Sequence, residues 1–250
     1  MSRVAVLAPH PDDEVLGCTS VLVDDNVVVV VHVTDGVPAS VTGDEATALR
    51  AARDREARDA CDELGARVER FVTLDARDQE LWCHTADVAD DLATLLPTLD
   101  CDAVYVPAFQ SGHPDHDGLY VAAQIARSML ADDRHRWTCY ALYALDEHGE
   151  PGYGWLHPWL FPDVYDRTFS LEEIDRKSRA LRAFVTQVNP ESVIQRWLDA
   201  PTNERFSPLP RRNAPIPLLR SYYDEVFRFS EQGIDRATVD HVLRDVLSRT

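Results

Sequence analysis

Five short stretches of the chain are mainly apolar, and each is followed by polar or turn-forming residues. They cover residues 4–8, 27–33, 68–74, 103–107 and 138–143. Apolar runs of about four to eight residues, rich in β-branched side chains, are typical of strands buried on both faces of a parallel sheet. Helical patterns lie between several of these runs. We therefore predict an α/β fold, a mostly parallel Rossmann-like sheet with flanking helices.

Two helices carry clear signals at their ends. The segment 42–65 begins with Thr-Gly-Asp-Glu, the sequence of a capping box, and ends in glycine. A later helix begins with Ser-Leu-Glu-Glu at 170–173, a second capping box, and must end near the Asn-Pro pair at 189–190, because the residue before a proline avoids the helical conformation. A last helix is predicted over about 234–247.

The 250 residues are predicted to form a single domain. Its core spans about residues 3–190, and a C-terminal extension of loop and helix covers about 191–250. No internal repeat divides the chain.

The charge of the chain narrows the classes of partner. It has 43 Asp and Glu residues against 25 Lys and Arg, for a net charge of −18. This excess repels phosphate backbones, and no basic cluster offsets it, so we predict no nucleic-acid partner. No apolar run approaches the roughly 18 residues that span a bilayer, and the N-terminus lacks the features of a secretory signal. We predict no membrane span and a cytoplasmic location.

The lysine and cysteine content of the chain is informative. Lys177 is the only lysine, and Asp outnumbers Glu, a composition that suits concentrated salt but also a GC-rich coding sequence. The cysteines are odd in number and contain no Cys-x-x-Cys, so reduced, mostly buried thiols are predicted rather than disulfides or a cysteine zinc site. They are Cys18, Cys61, Cys83, Cys101 and Cys139.

Ionisable residues follow the first and the fourth predicted strands. Residues 9–14, Pro-His-Pro-Asp-Asp-Glu, place one imidazole and three carboxylates after strand one, and residues 111–117, Ser-Gly-His-Pro-Asp-His-Asp, follow strand four. Parallel strands bring both loops to the same edge of the sheet. Three neighbouring carboxylates are costly to ionise unless a cation neutralises them. Imidazole and carboxylate ligands suit zinc or a similar divalent ion, so we predict a hydrolytic metal site.

Three other functions compete with this hypothesis. A catalytically silent module would keep the metal or the pocket and bind a glycoside or a partner protein. A nucleotide-binding Rossmann protein needs a Gly-x-Gly-x-x-Gly turn, which is missing after the first strand. Two-metal phosphoester hydrolysis has Glu14, Asp115 and Asp117 to spare, but a phosphate would approach this acidic rim only together with a second cation.

The two histidine motifs carry a resemblance to a known family. His-Pro-Asp-Asp-Glu at 10–14 and His-Pro-Asp-His at 113–116 resemble motifs of the LmbE/PIG-L family of metal-dependent N-acetylglucosaminyl deacetylases. The resemblance covers about residues 3–190. It implies a zinc-dependent hydrolase, with Fe²⁺ as another candidate ion, that removes an N-acetyl or other short N-acyl group from a 2-amino-sugar glycoside. A small-molecule glycoside is then the expected substrate, and self-association into a homo-oligomer is compatible with the family.

The resemblance also assigns the metal ligands and the base. His10, Asp13 and His116 would hold the metal, and Asp12 would be the general base that takes the proton of the attacking water. The chemistry agrees independently, because a carboxylate used as a ligand loses its basicity and an adjacent one must accept the proton.

Four further residues receive roles from the same resemblance. His113 would protonate the departing amine or stabilise the oxyanion, and Asp115 would hold its ring and raise its pKa. Arg55 and Asp78 would bind the sugar. Taken alone, Arg55 also fits a solvated helix arginine paired with Asp59, and Asp78 fits a helix cap. The motifs do not specify the aglycone.

Overall fold

The computed structural model describes residues 2–24, 26–131, 133–146, 148–210, 222 and 234–249. Part of the predicted C-terminal extension, residues 211–221 and 223–233, lies outside the described residues.

Seven strands form one central sheet in the order β3-β2-β1-β4-β5-β9-β8. The first five strands pair in parallel, whereas β9 runs antiparallel to both β5 and β8. Two further strands, β6 and β7, form a separate antiparallel pair. The bounds are β1 Ser2–Ala8, β2 Asn26–Pro38, β3 Val68–Asp78, β4 Ala103–Pro107, β5 Arg136–Tyr140, β6 Tyr143–Leu145, β7 Pro151–Tyr153, β8 Tyr165–Arg167 and β9 Glu204–Pro208.

Helices cover both faces of the sheet. One hydrophobic core lies under α3, α4 and α7, and the other lies under α1, α2, α5 and α6. The chain crosses from one face to the other between β1 and β4, and this topological switch point is where open α/β sheets bind ligands. The bounds are α1 Asp13–Val23, α2 Gly43–Leu64, α3 Thr85–Leu99, α4 Pro114–Met129, α5 Leu171–Arg182, α6 Val193–Asp199 and α7 Arg236–Arg249, with a short 3₁₀ turn at Leu81–Cys83.

The predicted fold class is confirmed, as a single-domain α/β fold with a mostly parallel sheet. Several details differ from the prediction, which did not include the strands β6, β7, β8 and β9. The fifth strand ends at Tyr140, because the N–H of Leu142 donates to the side chain of Gln110 (2.7 Å) instead of continuing the ladder. The Thr42 side chain makes no capping hydrogen bond, whereas the capping box at Ser170 is present.

The helix α5 is shorter than predicted and ends at Arg182. Beyond it, the N–H of Thr186 donates to the Glu56 carboxylate (2.9 Å), so this backbone group is bound by a side chain of α2 and not by the next helical turn. Leu171, the first residue of α5, and Val185, which lies beyond the end of α5, are both exposed.

The helix α1 is interrupted at Cys18, whose φ of −132° and ψ of 22° are not helical. A buried ion pair binds the backbone groups on both sides of this interruption. The Lys177 ammonium donates to the carbonyl of Leu16 (2.7 Å) and to Glu204 (3.0 Å). The Glu204 carboxylate accepts the N–H groups of the two residues after Cys18, at 2.6 and 2.9 Å. The Lys177–Glu204 pair therefore satisfies the backbone groups that the kink leaves without helical partners.

Two remaining expectations concern cysteines and membranes. All five cysteines are free thiols, and Cys83 is the exposed one. No helix among the described residues is long and apolar enough to cross a membrane.

Candidate active site

The loop between β1 and α1 holds Asp12 in a backbone conformation that L residues rarely adopt. Its φ is 149°, and such a conformation costs about 1–3 kcal/mol unless the surroundings impose it. The constraint comes from Glu14, whose Oε2 accepts the N–H of Asp12 (3.0 Å) and lies 3.3 Å from Nε2 of His32. The strained turn directs three side chains, those of His10, Asp12 and Asp13, to one cleft.

One oxygen of Asp13 is the point where two histidines meet. Its Oδ2 lies 3.1 Å from Nδ1 of His10 and 3.2 Å from Nε2 of His116. The approach of His116 does not have hydrogen-bond geometry, so this buried nitrogen has no hydrogen-bond partner among the described residues. The three side chains that the resemblance assigns to the metal are thus brought together, and each is less than a tenth exposed.

The loop between β4 and α4 supplies His113 and His116. His113 is the N-cap of α4, and its Nδ1 accepts the N–H of Asp115 (3.2 Å). Gly112 lets the loop pass against the main chain of Tyr143, because a Cβ at position 112 would lie 2.1 Å from the Tyr143 carbonyl oxygen. Burial lowers the pKa of His113 well below its usual value, and the neighbouring His10 and His116 lower it further.

The expected pairing of Asp115 with His113 differs from the observed one. Oδ2 of Asp115 lies 3.2 Å from Nε2 of His10 but 4.0 Å from Nδ1 of His113. The same oxygen accepts the N–H of Gln79 (2.6 Å). Asp115 therefore orients the His10 ring and the loop after β3, and it contacts His113 through its backbone N–H.

Asp78 ends β3 and also lies at the site. Its Oδ1 is 3.0 Å from Nε2 of His10. Burial raises the pKa of this carboxyl, but the charge and hydrogen bond of His10 outweigh burial, so the pKa lies below its usual range. Asp78 lines the cleft, and its closest charged neighbour is a candidate metal ligand.

The arginine at the site is Arg53, while the Arg55 side chain is exposed and does not line the cleft. The Arg53 guanidinium donates to the carbonyls of Gly36 (2.7 Å) and Pro11 (2.9 Å) and to Oδ2 of Asp12 (3.1 Å). Gly36 has φ of 67°, and a Cβ there would lie 2.8 Å from Nε of Arg53. Burial raises the pKa of Asp12 well above its usual value, and Arg53 opposes that rise.

A signal for Arg53 exists in the sequence. Residues 53, 57, 60 and 64 follow the helical spacing of the buried face of α2, and position 55 falls outside it. The helical phase alone thus distinguishes the two arginines.

The cleft encloses about 200 Å³ and has two walls. The first wall carries the ionisable residues described above. The second is formed by the connection between α5 and α6 and by an aromatic side chain, and none of its residues was predicted as a site residue. They are Tyr143, Gln187, Asn189, Ser192, Val193 and Ile194.

The residues of the first wall fit a divalent metal ion. Ligand atoms of His10, His113 and His116 lie within 4.8 Å of one another. The same holds for a second group, which combines His10 and His113 with Asp78 and Asp115. The surrounding carboxylates raise the pKa of His10 well above its usual value although its burial acts in the opposite direction. The cluster therefore attracts positive charge, and imidazole with carboxylate but no thiolate suits zinc or iron(II).

The fold is thus a Rossmann-like α/β sheet with imidazole and carboxylate groups at its switch point, which form a candidate metal-binding active site. Residues 5–126 match the family model described as "PIG-L: GlcNAc-PI de-N-acetylase", which confirms the resemblance to the LmbE/PIG-L family over this span. The match supports the prediction of an amide hydrolase that acts on carbon–nitrogen bonds other than peptide bonds. A search of curated proteins found no match.

Several solved structures share the fold. The N,N'-diacetylchitobiose deacetylase of Pyrococcus horikoshii is 21% identical, with 78% of this chain and 74% of that chain covered and a TM-score of 0.59. A zinc-inhibited form of the teicoplanin deacetylase Orf2 is 17% identical over 83% and 97%, with a TM-score of 0.58. A conserved protein of Thermus thermophilus is 23% identical over 88% and 97%, with a TM-score of 0.58. At these identities the likeness is one of fold.

Proposed function

We propose that this protein is a zinc-dependent N-deacetylase that hydrolyses the N-acetyl group, or another short N-acyl group, of a 2-amino-sugar glycoside. One observation carries the proposal: His10, Asp13 and His116 converge within 3.2 Å beside a fourth buried side chain, Asp12, that lines the same cleft. A bound divalent ion supplies Lewis acidity that polarises the acyl carbonyl and lowers the pKa of water. The deacetylase names of the family and of its structural relatives support the choice of an acylated amino sugar.

Asp12 takes the proton of the attacking water. Arg53 donates to Oδ2 of this carboxylate and also to the Pro11 carbonyl, so the proton is accepted on the other oxygen, Oδ1. The guanidinium favours the ionised carboxylate, which a base requires, against the effect of burial.

Of the two roles predicted for His113, stabilisation of the oxyanion fits its hydrogen bonds. Its Nδ1 accepts the backbone N–H of Asp115, so a neutral ring carries its proton on Nε2. When water adds to the acyl carbon, this N–H stabilises the negative oxygen. When the carbon–nitrogen bond breaks, the amine nitrogen takes the proton that Asp12 accepted from the water, His113 keeps its own proton, and acetate and the free amino sugar are the products.

Several finer predictions rest on the sequence and belong to the same proposal. They are the assignment of residues 1–250 to one deacetylase domain, a cytoplasmic location, and association into a homo-oligomer. Asp78 is proposed to contact the sugar from the first wall, and Arg53 takes the position that the prediction gave to Arg55.

The test is acetate release from a panel of N-acetylglucosaminides by purified, metal-stripped protein to which one equivalent of zinc, iron(II) or cobalt(II) is restored. One equivalent is used because a related deacetylase was solved in a zinc-inhibited form. We expect activity to return with metal, and Asp12→Asn to retain metal while its kcat falls by about 10²–10⁴-fold.

Two results would contradict the proposal. Failure of the wild-type protein to bind a divalent ion would remove the metal site. Binding of the ion without hydrolysis of any acylated amino sugar would favour the catalytically silent module.

A further inference from the structure

Besides Tyr143, the second wall of the cleft offers three polar side chains, and two of them are hydrogen-bonded to backbone groups. Oδ1 of Asn189 accepts the N–H of Glu191 (3.0 Å). Oγ of Ser192 accepts the N–H groups of Gln195 (3.1 Å) and Asn189 (3.3 Å), which begins α6. Gln187 is the third, and it is half-buried at the edge of the same cleft.

The orientation of the Gln187 amide is determined by a chain of hydrogen bonds from α2. Glu56 is 9% exposed, and its two oxygens accept the N–H (2.9 Å) and the hydroxyl (2.7 Å) of Thr186. The Thr186 hydroxyl has one proton, and the carboxylate takes it. Nε2 of Gln187 then donates to Oγ1 of Thr186 (3.1 Å).

The reverse orientation of the amide is disfavoured. With Oε1 of Gln187 turned toward Thr186, two acceptors would face each other, because a carboxylate at Glu56 has no proton to give. The network therefore leaves Oε1 to interact elsewhere, and no hydrogen bond to this atom occurs within the part of the chain that the structure describes.

We propose that Oε1 of Gln187 accepts a hydrogen bond from one hydroxyl of the sugar ring in the cleft, and that Glu56 and Thr186 set this preference for a donor. The inference rests on the proposed function for the identity of the sugar. Gln187 is then a specificity residue that lines the same cleft as His10 and Asp13, and Glu56 and Thr186 are positioning residues that act through it.

The test measures binding and hydrolysis separately. The ligands are the methyl glycoside of N-acetylglucosamine and three analogues in which fluorine replaces the hydroxyl at C-3, C-4 or C-6, because fluorine cannot donate a hydrogen bond. Dissociation constants are measured for metal-loaded protein, and kcat/KM for acetate release is measured beside them. We expect one of the three analogues to bind the wild type about tenfold more weakly than the parent glycoside.

Variants identify the acceptor. In Gln187→Ala the tenfold difference should disappear for that analogue alone, while Gln195→Ala, a nearby glutamine outside the cleft, should keep it. In Glu56→Gln the new amide can donate to the Thr186 hydroxyl. The hydroxyl proton is then free to bind Oε1 of Gln187, which turns Nε2 of Gln187 toward the cleft. The loss of affinity caused by fluorine should therefore become smaller. Thr186→Val should shrink it as well, and Thr186→Ser should preserve it.

The outcomes separate the two proposals. Selective binding without acetate release would overturn the hydrolytic function and support the role of Gln187. Equal binding of all four ligands by the wild type, a penalty that persists in Gln187→Ala, or no binding of the parent glycoside would overturn the inference.

Discussion

Two clusters of buried charge lie along α1, one at its first turn and one at its middle, and they differ in charge balance. The Lys177–Glu204 pair contains one cation and one anion. Lys177 also donates to a backbone carbonyl of α1, and Glu204 accepts two backbone N–H groups and the Ser20 hydroxyl of the same helix. The site at the first turn holds four buried carboxylates, those of Asp12, Asp13, Asp78 and Asp115. Asp12 pairs with the Arg53 guanidinium, whereas the other three lie against the His10 ring.

The difference indicates that the Lys177–Glu204 pair is structural and that the cluster at the first turn of α1 binds a ligand. Burying a charge is costly unless it is paired, and the Lys177–Glu204 pair meets that condition within the chain. The four carboxylates meet it only with further positive charge, which a proton on His10 or a metal ion provides. Each of the following predictions tests this difference between the two clusters.

Loss of one partner from the balanced pair should have the largest effect on stability. Lys177→Met leaves the Glu204 carboxylate and the Leu16 carbonyl buried without their cation, and we expect the free energy of unfolding to fall by about 3–5 kcal/mol. Urea denaturation measures it. The double variant Lys177→Met with Glu204→Gln should recover part of the loss, and an equal or larger loss in the double variant would contradict the account.

Metal addition should stabilise the unbalanced cluster. At a free zinc concentration of about 100 times the Kd, the free energy of unfolding of metal-stripped protein should rise by about 2.7 kcal/mol. Asp13→Asn should lose most of this gain, because Asp13 is where the two histidines converge. Thermal unfolding with and without zinc measures the gain, and an undiminished shift in Asp13→Asn would refute the ligand assignment.

The two arginines of α2 provide a matched pair. Arg53→Met removes charged donors from two buried carbonyls and from Asp12, so we expect a loss of about 2–3 kcal/mol. Arg55→Met changes an exposed side chain and should stay within about 0.5 kcal/mol of the wild type. Chemical denaturation of both variants compares them, and equal losses would show that Arg53 has no special role.

The smallest expected effect is a dependence of stability on pH. Burial lowers the pKa of Lys177 although Glu204 opposes it, so the unfolded chain binds this proton more tightly. The contribution of Lys177 to stability should therefore rise as the pH increases toward the ordinary lysine pKa of about 10.4. The difference in unfolding free energy between the wild type and Lys177→Met, measured from neutral to alkaline pH, should grow, and a decrease would reverse the sign assigned here.

Local patterns were sufficient for the five parallel strands and for the position of the two histidine motifs, but not for the antiparallel strands β8 and β9. The strand β4 has the predicted bounds, and the two histidine motifs follow β1 and β4 at the switch point as expected. These features depend on short stretches of chain and on a general rule for parallel sheets. Family resemblance then supplied roles for residues that the fold brings to one cleft.

Contacts between distant segments were not accessible in the same way. Glu56 and Thr186 are 130 residues apart, and Lys177 reaches the carbonyl of Leu16 across 161 residues. No local pattern pairs such positions. The presence of Arg53 rather than Arg55 at the site is a different case. The prediction named Arg55, although the helical phase of α2 already places position 53 on the buried face and needs no tertiary information.

The position of Lys177 has a practical consequence for chemical labelling. It is the only lysine of the chain and its side chain is 0% exposed, so an amine-reactive reagent meets no lysine side chain on the surface of the folded molecule. Modification of Lys177 requires α5 to move away from α1. The rate of its acylation would then report how often this part of the protein opens, with a single site and no competing signal from other lysines.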